Sequence, residues 1–278
     1  MSEMKKLYQN KEWLEEQFRT VKYAQVIGKS VGVTGDTIEY WRKKFDIPKH
    51  PERKYHRRRK NVDHDFFESI DTESKAYWLG FLVADGCLLS SAKGGKANRI
   101  EFNLKMEDWD HLEKFKKDIK SDHEIKPIEK NNKKRGFIST VCNLRINSTK
   151  LCRDLENLGV QKRKTGNEVM PDLPEDMVRH FVRGYFDGDG SITGDHNYSI
   201  KLCCSSKRLI DQIVELINSE LGIDLNPQDY SEDGKEFYII ESRNQTNNPK
   251  ILRYMYKDAT VYLDRKYERA MELCSPLQ

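Results

Sequence analysis

The stretch Trp78-Leu79-Gly80-Phe81-Leu82-Val83-Ala84-Asp85-Gly86 returns later in the chain as Val182-Arg183-Gly184-Tyr185-Phe186-Asp187-Gly188-Asp189-Gly190, and this repetition decides how the rest is read. Both copies end in acid-glycine. The residues before each acid are apolar on nearly every side, so each copy reads as a short helix buried all round rather than a surface helix. Each also carries two small residues four apart, Gly80 with Ala84 and Gly184 with Gly188. Residues at that spacing share one helix face and let another backbone come close. The expected neighbour is the other copy.

Packed along those small residues, the two helices bring Asp85 and Asp189 side by side at their C-terminal ends. A carboxylate there faces the negative end of the helix dipole, at a cost of roughly 0.3–1 kcal/mol, and two adjacent carboxylates repel each other. Gly86 and Gly190 suit the left-handed position that often follows a helix, leaving the last carbonyls, those of Ala84 and Gly188, directed outward as well. Hard divalent cations take carboxylate and carbonyl oxygens, and Mg2+ completes its octahedron with water and substrate phosphate. One Asp-Gly after an apolar run is ordinarily a helix cap and turn. Two in one chain point to a metal site.

The pair of stretches resembles the two motifs of a single-chain LAGLIDADG homing endonuclease, over roughly residues 76 to 270. The resemblance implies an α+β fold of two pseudo-symmetric αββαββα repeats whose antiparallel sheets form a saddle. It also implies that the last acid of each motif, Asp85 and Asp189, binds metal. Two positions depart from the family pattern: Val83 stands where the family name has an acid, and Arg183 replaces an apolar residue. Neither is the metal acid.

With 278 residues the chain has room for a small domain beside a larger one. No apolar run approaches the roughly 18 residues of a spanning helix, and Lys5 and Lys6 are followed by polar residues rather than the apolar core of a signal peptide. A cytoplasmic protein is expected, of prokaryotic or phage origin. Cys87, Cys142, Cys152, Cys203, Cys204 and Cys274 include no C-x-x-C pair and read as reduced, mostly buried thiols. Net charge is only +4, but residues 1–62 hold 16 Lys and Arg against 8 Asp and Glu, so the remainder is net acidic. A basic first segment is the footprint of a polyanion binder or, equally, a solvated basic face.

In chain order, Asn10 caps a helix with Trp13, Leu14 and Phe18 inward. A second helix runs from about Tyr23 to Ser30, a tight turn follows at Val31-Gly32-Val33, and a third helix spans Thr34 to Phe45. Residues 1–48 thus resemble the small helix-turn-helix DNA-binding heads, with a three-helix structural cap as the alternative. In the first reading Thr34, Asp36, Thr37 and Tyr40 lie near the start of the recognition helix, while Arg42, Lys43 and Lys44 suit phosphates. Residues 49–72 read as a basic linker in which Arg57, Arg58, Arg59 and Lys60 follow the DNA backbone.

The repeats are expected over residues 73–172 and 173–278, with Asp85 and Asp189 standing 104 residues apart. Strands are expected at Cys87 to Ser91, at Arg99 to Lys105 and on either side of a turn at Asn131 to Gly136. In the second half they fall at Ser191 to Thr193, Tyr198 to Cys203, Leu225 to Tyr230 and Phe237 to Ser242. Alternation puts Arg99, Asn103, Lys105, Asn143, Arg145, Ser199 and Lys201 on the polar faces, where DNA would lie or where an ordinary solvated sheet would face water. By resemblance, Lys164 and Lys266 fall near the metal site, where a cation would stabilise charge on the scissile phosphate and hold the attacking water.

The expected function is therefore site-specific cutting of double-stranded DNA, with Mg2+ or Mn2+, by a monomer with no small-molecule cofactor. Its setting would be intron homing by a mobile genetic element. The alternatives are a non-catalytic DNA-binding regulator of the same fold and an intron RNA maturase. An intein is disfavoured, since the chain neither starts with Cys or Ser nor ends in His-Asn.

Overall fold

The computed structural model describes residues 4–21, 23–48, 60–91, 95–132, 136–162, 166–195 and 197–274. They divide into two compact units, residues 1–60 and 61–278.

The first unit contains α1 (Lys11–Thr20), α2 (Ala24–Ser30) and α3 (Gly35–Lys44). The Asn10 side chain accepts from Trp13 N at 2.8 Å, and Thr34 Oγ1 accepts from Thr37 N at 3.3 Å, so both expected caps are in place. Leu14, Phe18, Ala24, Ile27, Ile38 and Ile47 form its core. The turn between α2 and α3 is tight because Gly32 adopts φ +72° and Gly28 lies against the next segment: a Cβ there would stand 2.6 Å from Val33 O.

In the second unit the first repeat runs α4 (Glu73–Asp85), β1 (Cys87–Leu89), β2 (Arg99–Lys105), α5 (Trp109–Asp118), β3 (Ile125–Asn132), β4 (Phe137–Asn147) and α6 (Thr149–Asn157). The second runs α7 (Glu175–Asp189), β5 (Gly190–Thr193), β6 (Ser199–Cys204), α8 (Lys207–Leu221), β7 (Gln228–Asp229), β8 (Tyr238–Ser242) and α9 (Asn247–Tyr256), and α10 (Asp264–Cys274) follows. Each repeat makes one antiparallel sheet, in the orders β1-β2-β4-β3 and β5-β6-β8-β7. The fold is α+β with two αββαββα repeats, and one continuous core joins them.

The centre of that core is the contact of α4 with α7. A Cβ on Gly80 would lie 2.0 Å from Phe181 O, and one on Gly184 would lie 2.0 Å from Tyr77 O. One turn further on, a Cβ on Gly188 would lie 2.3 Å from that of Ala84. The helices therefore meet backbone to backbone along the face that the sequence spacing marks out.

Three expectations change. Gly86 (φ −79°, ψ 157°) and Gly190 (φ −90°, ψ 167°) are extended, not left-handed. They are small for another reason: the chain folds back over its own last helical turn, and a Cβ would come 2.4 Å from Leu82 Cδ2 or 2.2 Å from Phe186 Cδ2. The strand expected over Leu225 to Tyr230 shrinks to Gln228–Asp229. Asn218 bonds both Leu225 N (2.8 Å) and Leu225 O (2.9 Å), and Pro227 has no N–H to give a ladder. The linker is also shorter, because residues 61–72 pack on the first repeat through Phe66, Phe67 and Ile70, with Asp63 N bonded to Ile119 O at 2.7 Å.

Gly80→Ala and Gly184→Ala should each lower the unfolding free energy by about 3 kcal/mol, the upper end of overpacking costs, because rigid backbone and not a flexible side chain meets the new methyl. Urea unfolding followed by circular dichroism measures this. A loss under about 1 kcal/mol would contradict the backbone contact.

Candidate active site

Asp85 and Asp189 are the last residues of α4 and α7, and both are exposed. The glycine contact brings those ends together, so that a Cβ on Gly188 would stand 3.4 Å from Asp85 Oδ2. Among the described residues no cluster of three or more His, Cys, Asp and Glu is able to hold a metal. Two exposed carboxylates with helix-end carbonyls at Ala84 and Gly188 fit instead a hard, octahedral cation that keeps most of its shell for water and phosphate.

Lys266, on α10, is 5% exposed. Its three N–H groups donate to Phe186 O (2.7 Å), Asp187 O (2.7 Å) and Gly190 O (2.5 Å), capping the end of α7. Burial lowers its pKa to about 8, with Arg265 acting in the same direction, while Asp187, Asp85 and Asp189 pull it back up. The ammonium thus lies within electrostatic reach of both terminal aspartates. Its donors are spent on backbone carbonyls, and through them it holds the Asp189 end of α7. Lys164 lies outside the described residues.

Beneath this end is a buried polar network. Asp187, 1% exposed, accepts from Tyr256 OH (2.5 Å), Tyr77 OH (2.7 Å) and Leu263 N (2.8 Å), and burial raises its pKa. Arg183, fully buried, donates to Val261 O (3.0 Å), Met255 O (2.9 Å), His180 Nδ1 (2.8 Å) and Glu73 Oε1 (2.6 Å). The residue that departed from the family pattern is thus a tie between α7, the first turn of α4 and the segment before α10.

On the outward sheet faces, Glu101 gathers Arg145, Asn143 and Asn103. Asn143 is buried, with its amide committed to Glu101, Phe102 O and Asn103, so it does not stand free in the groove as expected. Arg99 is half-buried with its Nε 3.8 Å from Glu101, Lys105 is exposed and bonded to Glu107, and Arg145 is exposed. In the second sheet Ser199 pairs with Thr193 at 2.9 Å and Lys201 pairs with Glu241 at 3.2 Å. The sequence reading missed Lys126 and Lys130, which register places opposite Asn143 and Ser139 on the same outward face. Alternation along 125–132 would have found them.

In the first unit Asp36, Tyr40 (60% exposed) and Lys43 are open to solvent, and the Thr34 and Thr37 hydroxyls bond each other at 3.0 Å. Arg42 corrects the reading: it is buried, donating to Glu39 (2.8 Å) and Ile47 O (2.6 Å), and so braces the end of α3 instead of facing phosphate. Lys60 is exposed, while Arg57, Arg58 and Arg59 lie outside the described residues.

Residues 176–252 match the family described as a LAGLIDADG-like domain. The chain is similar in structure to the homing endonuclease I-WcaI bound to its DNA recognition sequence, with TM-score 0.51 and 15% identity, covering 74% of this chain and 90% of that one. That likeness establishes the fold, shared with LAGLIDADG homing endonucleases. In sequence it is 27% identical over 216 residues to the replication factor C small subunit of Methanocaldococcus jannaschii, over 75% of this chain and 10% of that protein. It is 37% identical over 75 residues to the RNA polymerase subunit Rpo1C of the same organism, over 27% of this chain and 9% of that protein. The chain spans about a tenth of the length of these curated relatives.

Two histidines of the core make the fold acid-sensitive. Burial lowers His111 to about 3, and burial together with the Arg183 charge lowers His180 to about 4. Both are protonated in the unfolded chain below about 6.5, so the unfolded state binds more protons and stability falls as pH drops from there. Each should contribute a slope of up to about 1.4 kcal/mol per pH unit between pH 6 and 4.5. Urea unfolding across that range should show the slope, and His111→Gln should reduce it by about one histidine's share.

Proposed function

We propose that this protein is a site-specific endonuclease that hydrolyses phosphodiester bonds on both strands of a long, asymmetric DNA site, using Mg2+ or Mn2+. The observation that carries the reading is the backbone contact of α4 with α7, which sets Asp85 and Asp189 together at one exposed point. Asp85 and Asp189, with the carbonyls of Ala84 and Gly188, would hold the ion. A bound divalent ion supplies Lewis acidity toward a phosphate oxygen and a water of lowered pKa. The protein's own part is positional. The glycine contact fixes the spacing of the carboxylates, Lys266 holds the α7 end, and its charge offsets their mutual repulsion.

The outward faces of the two sheets, with Arg99, Lys105, Lys126, Lys130, Arg145 and Lys201, supply the cations that a DNA backbone needs. Two repeats with different side chains suit an asymmetric site. In the first unit, the glycine turn and the close α2–α3 packing support a helix-turn-helix head, with Thr34, Asp36, Thr37 and Tyr40 toward base edges and Lys43 and Lys44 toward phosphates. Stretches similar to this chain make up about a tenth of a replication protein and of a polymerase subunit, which supports a mobile element that inserts into other genes. The protein would act as a cytoplasmic monomer, since both acids come from one chain.

Cleavage of a large mixed DNA library in Mg2+, with the new ends sequenced, tests the reading. The unmodified protein should give one recurrent staggered cut, and Asp85→Asn and Asp189→Asn should each reduce cutting at least about 100-fold, the upper end of what losing a partner behind a metal ligand costs, while DNA is still retained. Retention without cutting by the unmodified protein would leave a DNA-binding regulator, and retention of folded intron RNA instead would leave a maturase.

A further inference from the structure

On the outward face of the first sheet one carboxylate is nearly withdrawn from water. Glu101 is 7% exposed, and donors converge on it: Arg145 Nε at 3.0 Å and Nη2 at 3.3 Å, Asn143 Nδ2 at 3.0 Å and Asn103 Nδ2 at 3.3 Å, with Arg99 Nε at 3.8 Å. Burial pushes its pKa up, but the hydrogen bonds from Arg145 and Asn103 outweigh it and keep the carboxyl below its ordinary value, so it is ionised. An acid on a face that otherwise offers cations to a polyanion weakens attraction for every sequence alike. Its effect on Arg145 is more selective. A guanidinium has five N–H donors, of which Glu101 takes two, and the other three remain on a side chain that is 52% exposed. A pinned guanidinium presents a planar pair of donors in one orientation, which matches O6 and N7 of guanine in a major groove.

The other repeat makes the comparison. Cys87, two residues after Asp85, pairs with Glu101, and Ser191, two residues after Asp189, pairs with Lys201. Across the next strand Glu101 faces Arg145, while Lys201 faces Glu241. At the same place relative to the two terminal acids, acid and base have exchanged strands. Lys201, bonded to Glu241 at 3.2 Å, is a point charge without a donor fork, and the one guanidinium bonded to Glu241, that of Arg243 just past the end of β8, is held by Nε alone (2.8 Å) and not by two donors as Arg145 is.

We infer that Glu101 is a specificity-determining positioning residue, which orients Arg145 to read a guanine in the half-site lying on the first sheet, a preference the exchanged Lys201–Glu241 pair does not reproduce in the other half. The inference rests on the DNA-binding reading above and adds to it which residue sets the asymmetry of the site.

Selection of binding sites from random double-stranded DNA by the full chain in Ca2+ tests it. The unmodified protein should enrich a guanine at one position of one half-site without a symmetric counterpart. Glu101→Gln keeps the shape, and it should cut that enrichment about tenfold, the discrimination of one bidentate contact, while affinity for random DNA holds or rises because a negative charge is gone. Arg145→Lys, which leaves Glu101 intact, should lose enrichment at the same position. Unchanged enrichment in Glu101→Gln, or a loss spread evenly over all positions, would overturn the inference and leave DNA binding standing. Failure of the unmodified protein to retain any DNA would overturn the functional reading itself, and this inference with it.

Discussion

Carbonyl oxygens of one helix lie where side chains of the other would begin, at Gly80 against Phe181 and at Gly184 against Tyr77. A contact between two backbones has no flexible atoms to absorb movement, and packed interiors deform little. The separation of the helix axes is therefore set by the chain itself. Because the helices belong to different repeats, this one contact joins the two halves, closes the core and aligns the ends that carry Asp85 and Asp189. In this fold the architecture of the core and the geometry of the site are the same fact.

What holds the second end in place is polar and buried. Lys266 gives all three donors to carbonyls around the turn after α7, and Asp187 collects Tyr77 from α4 and Tyr256 and Leu263 from the C-terminal segment. Fully satisfied networks of this kind fix one arrangement, because any displacement strands a buried polar atom. The first motif has the apolar, buried Val83 and Leu79 at the positions of Asp187 and Arg183, and the polar ties of its helix come from other residues, Glu73, Ser74, Tyr77 and Trp78. The repeats share a backbone plan and differ in the physics that secures it.

The plan was legible in the sequence because its signals are local and periodic. Small residues four apart marked the contact face, alternation marked the two sides of each sheet, and the caps at Asn10 and Thr34 marked helix starts. What stayed hidden depends on partners far along the chain. Alternation puts Asn143 and Arg145 on the outward face, but it does not say that Glu101 occupies them. The spacing of Arg42 suits a phosphate contact, yet Ile47 O and Glu39 take its donors. Gly86 and Gly190 looked like left-handed caps, and only the fold-back over Leu82 and Phe186 explains why they are small.

Arg183 also bears on why one chain carries both repeats. Its guanidinium meets Glu73, in the first turn of α4. With the motifs offset as Asp85 is from Asp189, the residue of α7 that corresponds to Glu73 is Met177. Pairing α7 with a second α7 would set a thioether opposite each buried guanidinium, and losing one partner of a buried ion pair costs roughly 3–5 kcal/mol. Pairing α4 with a second α4 would set Glu73 against Leu79, leaving the carboxylate without its cation. Both homotypic pairings keep the glycine contact and fail on charge. The ion pair thus adds little to stability relative to an apolar pair of the same shape, yet it selects the α4–α7 pairing, the one that places two non-identical sheets around a single pair of aspartates.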